Sequence, residues 1–267
     1  MSYLSHIALG GIAAVLLSAS ACRPDQPATE RPSTAQSPAA SPTLADTALA
    51  YPSDTLHLPS GVVRLRPVSA AEFAKLPSAE LPDVANDSAA ERQPLAAAQG
   101  RARREGLTLV LKPAQGPLVR LASTPPAEFT LQNGEGVRYQ YWGSLPAAHQ
   151  WVVRAWYWES DGTVLIDQRT GRRVEVLGNP VASPDGRFVL LTSPSLGGGD
   201  QPNTLSLVKI EDDGPHLLWQ REPTAWEPEA ARWDTPNLAI LRLRHASADG
   251  SLADDAPVTY VQLPLPR

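Results

Sequence analysis

The stretch Ser183-Pro184-Asp185-Gly186-Arg187-Phe188-Val189-Leu190-Leu191 joins a tight turn to a run of apolar residues. The proline fixes φ at the start of the turn, and the Asp-Gly pair that follows it allows the chain to reverse direction. The apolar residues after the turn are typical of a strand that enters a packed interior. The stretch therefore predicts a β-turn followed directly by a core strand.

Short apolar or alternating runs of the same kind occur on both sides of this stretch, from residue 107 to the end of the chain. The clearest are Leu107–Leu111, Val137–Trp142, Trp151–Trp158, Leu205–Ile210 and Leu238–Leu243. Between the runs lie dipeptides that tolerate the positive φ of tight turns, including Asp161-Gly162, Asp213-Gly214 and Asp249-Gly250. Many short strands at steady spacing predict an all-β domain and not a βαβ fold.

The Ser183–Leu191 stretch resembles the S-P-D-G-[KR] turn and following strand of TolB-type and WD40-like propeller blades. Val164–Gly171, followed by Val174–Val176, is similar to the outer hairpin of such a blade, and Trp233–Ile240 resembles a degenerate second copy. The resemblance implies three or four blade-like units over residues 107–267, and therefore a small or incomplete β-propeller-like domain. A β-sandwich is the alternative architecture.

The N-terminus has the features of an export signal. Residues 1–21 contain no Lys, Arg, Asp or Glu, and Ile7–Leu17 has the length of a signal-peptide core, too short for a permanent membrane span. Leu17-Ser18-Ala19-Ser20-Ala21-Cys22 resembles the lipobox of bacterial lipoproteins, which implies cleavage after residue 21 and lipid attachment to Cys22. Ala19-Ser20-Ala21 also fits an ordinary A-x-A cleavage site, which would leave Cys22 unmodified.

Two further segments precede the strands. Residues 22–60 are rich in Pro, Ala, Ser and Thr, which predicts an extended, disordered tether. Residues 61–106 are mixed and contain signals for short helices. Ser69 and Glu72 fit a capping box before one helix, and the Ala-, Arg- and Glu-rich segment Ala89–Glu105 predicts another.

Composition narrows the classes of partner. The net charge is −5 and no basic block is present, so nucleic acid is not an expected partner. The single cysteine cannot form an intramolecular disulfide. An exported domain of this kind would have to be stabilised by packing.

Aromatic and acidic residues near the end of one predicted strand form a candidate ligand site. Trp156 and Trp158 would share one face of their strand, and exposed indoles there or at Trp226 would stack on sugar rings beside Glu159 and Asp161. Packing between strands is the other interpretation of these tryptophans. Paired carboxylates are also what glycoside cleavage requires, but carboxylates at turns commonly serve solubility and turn geometry.

The sequence has no H-E-x-x-H, G-x-S-x-G or phosphate-binding-loop motif, so we assign no catalytic residue, metal ligand or cofactor from it. It predicts a lipid-anchored lipoprotein of the bacterial cell envelope that is a non-enzymatic binding or scaffold module. The expected contacts are the membrane, through the lipid, and an envelope protein or glycan. A glycan-binding or glycan-cleaving module is the alternative function, and a soluble periplasmic or secreted protein is the alternative location.

Overall fold

The computed structural model describes residues 55–59, 61–78, 81–82, 89–130, 136–198 and 201–265. The predicted signal peptide, Cys22 and most of the predicted tether lie outside these residues.

The N-terminal part of the described chain forms three short strands and two short helices. Their bounds are β1 (Thr55–Leu58), β2 (Gly61–Arg64), β3 (Arg66–Val68), α1 (Ala70–Lys75) and α2 (Arg92–Ala97). β1 and β2 pair as an antiparallel hairpin. β1 lies within residues 22–60, which the sequence predicts to be a disordered tether. This part of the segment is a strand and not a tether, because Leu56 and Leu58 on one of its faces are buried in the core.

The capping box predicted for α1 is present. The Glu72 amide donates to Ser69 Oγ at 3.2 Å, and the Ser69 amide donates to Glu72 Oε2 at 2.8 Å. α2 covers only part of the helix predicted over Ala89–Glu105. Gln99 and Gly100 have positive φ, which ends the helix and turns the chain into a strand.

The remaining strands form four antiparallel sheets, one after another along the chain. The first sheet contains β4 (Ala102–Glu105), β5 (Thr108–Leu111) and β6 (Val119–Ala122). The second contains β7 (Arg138–Leu145), β8 (Gln150–Trp156), β9 (Asp161–Asp167) and β10 (Arg173–Val176). The third contains β11 (Asn179–Ala182), β12 (Phe188–Ser193), β13 (Thr204–Glu211) and β14 (Gly214–Arg221). The fourth contains β15 (Trp226–Thr235), β16 (Leu238–His245) and β17 (Val258–Pro264), with β3 paired to β17.

The predicted all-β class is confirmed by this topology. The Ser183–Leu191 stretch joins β11 to β12, and Trp233–Ile240 has the equivalent place between β15 and β16. β3 completes the fourth sheet, with Val68 opposite Tyr260. A closed propeller is not detected in the described residues.

The second and third sheets are buried on both faces. Val153 of β8 packs with the first sheet, whereas its neighbour Val152 packs with the third. In β12, Leu191 faces the second sheet and Leu190 faces the fourth. Because successive side chains on a strand point to opposite faces, two-sided burial requires unbroken apolar runs such as the one after the Ser183 turn.

Side chains within the Ser183 turn hold it closed. Ser183 Oγ donates to Asp185 Oδ1 at 2.7 Å and accepts the Phe188 amide at 3.0 Å. Gly186 has a φ of +72° and lies against the backbone carbonyl of Ala147, in the turn between β7 and β8. A Cβ at position 186 would lie 1.8 Å from that oxygen, so the close approach of the two turns requires glycine.

A buried carboxylate closes the turn between β9 and β10. Asp167 Oδ1 accepts the amides of Arg169 and Thr170 at 2.9 and 2.7 Å, and Oδ2 accepts Gln150 Nε2 at 3.2 Å. Burial opposes ionisation, but the Thr170 and Arg169 amides and the Arg169 guanidinium outweigh it and hold the pKa of Asp167 below its ordinary value. The carboxylate therefore stabilises this turn in its ionised form.

We expect Gly186→Ala to destabilise the protein by more than about 2 kcal/mol, because the new methyl group would overlap the Ala147 carbonyl at an unfavourable φ. Gly198→Ala is the control, since no atom lies within 4 Å of a Cβ built there, and its effect should stay within about 0.5 kcal/mol. Urea unfolding followed by circular dichroism measures both variants. Equal unfolding midpoints would show that the close approach is not required.

Asp167→Asn should cost about 2 kcal/mol at neutral pH, because an amide nitrogen would face the donors that Asp167 Oδ2 now accepts. Because folding lowers the pKa of Asp167, its carboxylate contributes fully to stability above the ordinary aspartate pKa. This contribution is lost as the pH falls through the lower pKa of the folded state. The difference in the free energy of unfolding between wild type and Asp167→Asn, measured by urea unfolding at several pH values, should therefore narrow below about pH 4. Asp212→Asn, on an exposed turn, is the control. A gap that does not change with pH would contradict the role of the ionised carboxylate.

Candidate functional site

Two cavities lie at the same end of the sheets. We call this the upper end; it is where β8 stops at Trp156 opposite Asp161, the first residue of β9. The lower end is the opposite one, where Gln150 pairs with Asp167. One cavity is lined mainly by polar groups and the other mainly by apolar side chains.

The polar cavity has a volume of about 310 Å³ and lies between the second and third sheets. Its main lining residues are Arg154, Trp156, Asp161, Asn179, Ser193 and Gln201. Because β8 and β12 end here while β9 and β11 begin, the side chains come from four strand ends and from the loop before β13.

Arg154 organises the polar cavity. It is 9% exposed, and its guanidinium carbon lies 3.9 Å from the ring centroid of Trp142 and 5.8 Å from that of Trp156. The same guanidinium forms an ion pair with Asp161, and its Nη2 donates to Asn179 Oδ1 at 2.9 Å. Stacking and charge-assisted hydrogen bonds together hold this arginine in place.

The geometry at Arg154 leaves other polar groups for a ligand. Arginine has only donors, so Asn179 must turn Oδ1 toward it, which leaves the Nδ2 group with its two donors. Asp161 uses Oδ2 in the ion pair, which leaves Oδ1 as an acceptor. Within the described residues neither Nδ2 nor Oδ1 has a hydrogen-bond partner. The half-buried indole of Trp156 is fixed beside them, because its Nε1 donates to Gln140 Oε1 at 2.8 Å.

The structure brings two of the five sequence-derived candidates together. Trp156 and Asp161 both line the polar cavity, and Asp161 begins β9 where a turn was predicted at Asp161-Gly162. Glu159 is exposed on the connection between β8 and β9 and is not among the residues that line the polar cavity.

The other two candidates lie elsewhere. β8 ends at Trp156, so Trp158 lies beyond the strand predicted to extend to it; it is 46% exposed and packs on Phe129 with ring centroids 5.9 Å apart. Trp226 was expected to be exposed, but it is only 3% exposed and packs in the core between the third and fourth sheets. Its indole therefore contributes to core packing and does not form the exposed stacking face that was expected.

Sequence reasoning missed Arg154 and Asn179. Arg154 carried a signal, because it is an isolated charge in the apolar run Trp151-Val152-Val153-Arg154-Ala155. A charged side chain on a two-sided buried strand needs partners, and such partners often mark a site. Asn179 follows Gly178 and was indistinguishable from an ordinary turn residue.

The apolar cavity has a volume of about 450 Å³ and lies beside α2, the first sheet and the start of β7. Its apolar wall consists of Leu95, Leu107, Pro126, Phe129 and Tyr139. Burial, with a smaller contribution from the Glu175 carboxylate, raises the pKa of Tyr139.

A closed ion pair also lines the apolar cavity. Glu91 is 5% exposed and pairs with Arg104, whose Nε lies 3.1 Å from Glu91 Oε2. The Tyr141 amide donates to Glu91 Oε1 at 2.6 Å, and Arg104 Nη2 donates to the Tyr139 carbonyl at 2.8 Å. The two charges are thus satisfied by each other and by the backbone.

At the lower end, Glu211, Asp213 and His216 place potential ligand atoms within 4.8 Å of one another. Glu211 and Asp213 are exposed and His216 is half-buried, with its Nε2 2.7 Å from Asp213 Oδ1. Lys209 pairs with Glu211 and Arg172 pairs with Asp213. Because cations already neutralise both carboxylates, we interpret the group as a surface charge network.

No protein-family model matches this chain, and no curated protein or solved structure is significantly similar to it. Within the described ranges, no helix has the length and apolar composition needed to cross a membrane. The function is therefore inferred from the geometry of the upper end.

Proposed function

We propose that this chain is an exported, lipid-anchored binding module of the bacterial cell envelope, and that its polar cavity holds a carbohydrate without cleaving it. The charge-free, apolar N-terminus and the lipobox-like residues before Cys22 support export and lipid attachment. The Pro-rich segment after Cys22 would act as a tether that lets the domain stand clear of the lipid surface.

We also propose that the four sheets are blades of a small, propeller-like domain. The first three sheets are up-and-down meanders, and the S-P-D-G-R turn lies between the first two strands of the third sheet. β3 pairs with β17, so a strand from the start of the domain completes its last sheet. A connection of this kind joins the two ends of the domain and protects an edge strand.

One observation supports the carbohydrate proposal most strongly. Arg154 fixes Asn179 and Asp161 so that an amide donor and a carboxylate acceptor line the polar cavity beside Trp156. Sugar hydroxyls both donate and accept hydrogen bonds, so neighbouring hydroxyls can engage such a pair, while the C–H face of the ring packs on an indole. The polar cavity offers all three elements in one small space.

Binding without cleavage fits the placement of the carboxylates. Glycoside hydrolases place two carboxyl groups across the scissile bond, roughly 5–10 Å apart. Asp161 is engaged in its ion pair with Arg154, and Glu159 does not line the polar cavity. Among its described lining residues, the polar cavity therefore has no second carboxyl group of the kind that hydrolysis needs.

We expect Asn179→Asp to weaken carbohydrate binding by about tenfold or more, because a carboxylate still accepts from Arg154 but removes the two Nδ2 donors. Isothermal titration of a panel of soluble β-1,4-linked glucose and N-acetylglucosamine oligosaccharides measures the effect. Trp156→Ala should weaken binding by a similar factor through loss of the stacking face.

Asn237→Asp is the matched control at the lower end, where Asn237 Oδ1 also accepts from an arginine, Arg187 Nη2, at 3.1 Å. This variant should bind as the wild type does. If no saccharide in the panel binds saturably, or if Asn179→Asp binds as tightly as Asn237→Asp, the carbohydrate proposal fails and the envelope-protein alternative gains support.

The lipid anchor predicts a mature chain that starts at Cys22 and carries added acyl mass in the membrane fraction of a bacterial host. Cys22→Ala should abolish both the added mass and the membrane association. Intact-mass spectrometry of the membrane and soluble fractions distinguishes the two states. An unmodified wild-type chain in the soluble fraction would support the periplasmic or secreted alternative.

A further inference from the structure

The apolar cavity is separate from the polar cavity, because no described residue lines both cavities. Tyr139, on the apolar side, packs with the core cluster shared with the first sheet. Trp142, which stacks under Arg154 on the polar side, belongs to the cluster shared with the third sheet. A ligand in one cavity therefore contacts a different set of side chains from a ligand in the other.

The apolar cavity is large enough for a small ligand, since such sites in proteins commonly have volumes of roughly 300–1,000 Å³. Apolar side chains remain accessible around it. Leu107, in its lining, is 46% exposed, and the equally exposed Trp158 packs on Phe129, another lining residue. An apolar ligand group would remove this surface from water, which is favourable.

Among the described residues that line the apolar cavity, positive charges outnumber negative ones. Arg92, Arg104 and Arg138 contribute three positive charges and Glu91 one negative charge, a difference of two. The Glu91–Arg104 pair is closed on itself. The side chains of Arg92 and Arg138 form no hydrogen bond or ion pair within the described part of the chain, and Arg138 is half-buried. A half-buried cation without a partner favours the binding of an anion.

We propose that the apolar cavity binds a single-chain amphipathic anion, namely an alkyl carboxylate. Its chain packs against Leu95, Leu107 and Phe129. Its carboxylate pairs with Arg138, the first residue of β7, and Arg92 on α2 adds a second positive charge. This site takes a ligand of a chemical class different from that of the polar cavity.

Isothermal titration of the full chain carrying Cys22→Ala, so that no attached lipid competes, tests the proposal with decanoate below its micellar concentration. We expect saturable binding of one decanoate per chain and at least about tenfold weaker binding of decanol, which has the same chain length but no charge. Arg138→Gln should weaken decanoate binding by about tenfold or more. Arg66→Gln, which changes an exposed arginine of β3 in the fourth sheet, should not alter it.

A pair of variants at Leu107 tests the same site without disturbing a buried residue. Leu107→Glu places a negative charge in the lining and should weaken decanoate binding by about tenfold, whereas Leu107→Gln, of similar size, should change it by less than about threefold. Asn179→Asp in the polar cavity should leave decanoate binding unchanged. The proposal is overturned if decanoate does not saturate, if decanol binds equally well, or if folded Arg138→Gln and Leu107→Glu bind decanoate as the wild type does.

Discussion

Burial of the second and third sheets on both faces is the constraint on which the rest of the structure depends. Each of their central strands must be apolar at successive positions, as β12 is from Phe188 to Leu191. A side chain with charge or hydrogen-bonding groups then has room only near the strand ends, where the sheets meet loops and solvent. The polar cavity and the turn closed by Asp167 accordingly lie at the upper and lower ends of these two sheets.

Two charged residues on central strands show how the ends differ. Asp167, at the lower end, has its hydrogen-bonding capacity filled by the turn that it closes and by Gln150, so its role is structural. The guanidinium of Arg154, near the upper end, also has hydrogen-bond partners. Within the described residues, however, its partners Asp161 and Asn179 each keep one polar group without a hydrogen bond beside the polar cavity. The site is therefore recognised less by the buried charge itself than by the unused polar groups around it.

The sequence was sufficient for the all-β class and for most strand positions, because two-sided burial produces apolar runs and the turns between them need Gly, Pro and Asp. It was insufficient where long-range contacts decide the outcome. The strand over Ala102–Glu105 looked helical, since its pairing with β5 has no local signature. Trp226 looked like a ligand-binding indole because burial depends on which sheet packs against it. Arg154 meets Asn179 25 residues away, a contact that no turn or strand pattern encodes.

The position of α2 also follows from electrostatics more than from helix propensity. α2 has six residues, and Glu91 at its start makes no side-chain cap to the helix. The Glu91 carboxylate instead bonds Arg104 of β4 and the Tyr141 amide of β7, so a single buried side chain ties the helix to two sheets. A buried ion pair stabilises a fold less than apolar packing of the same volume would, and its advantage is a defined geometry. Here that geometry holds the start of α2 beside the apolar cavity, where Arg92, the next residue, contributes its positive charge.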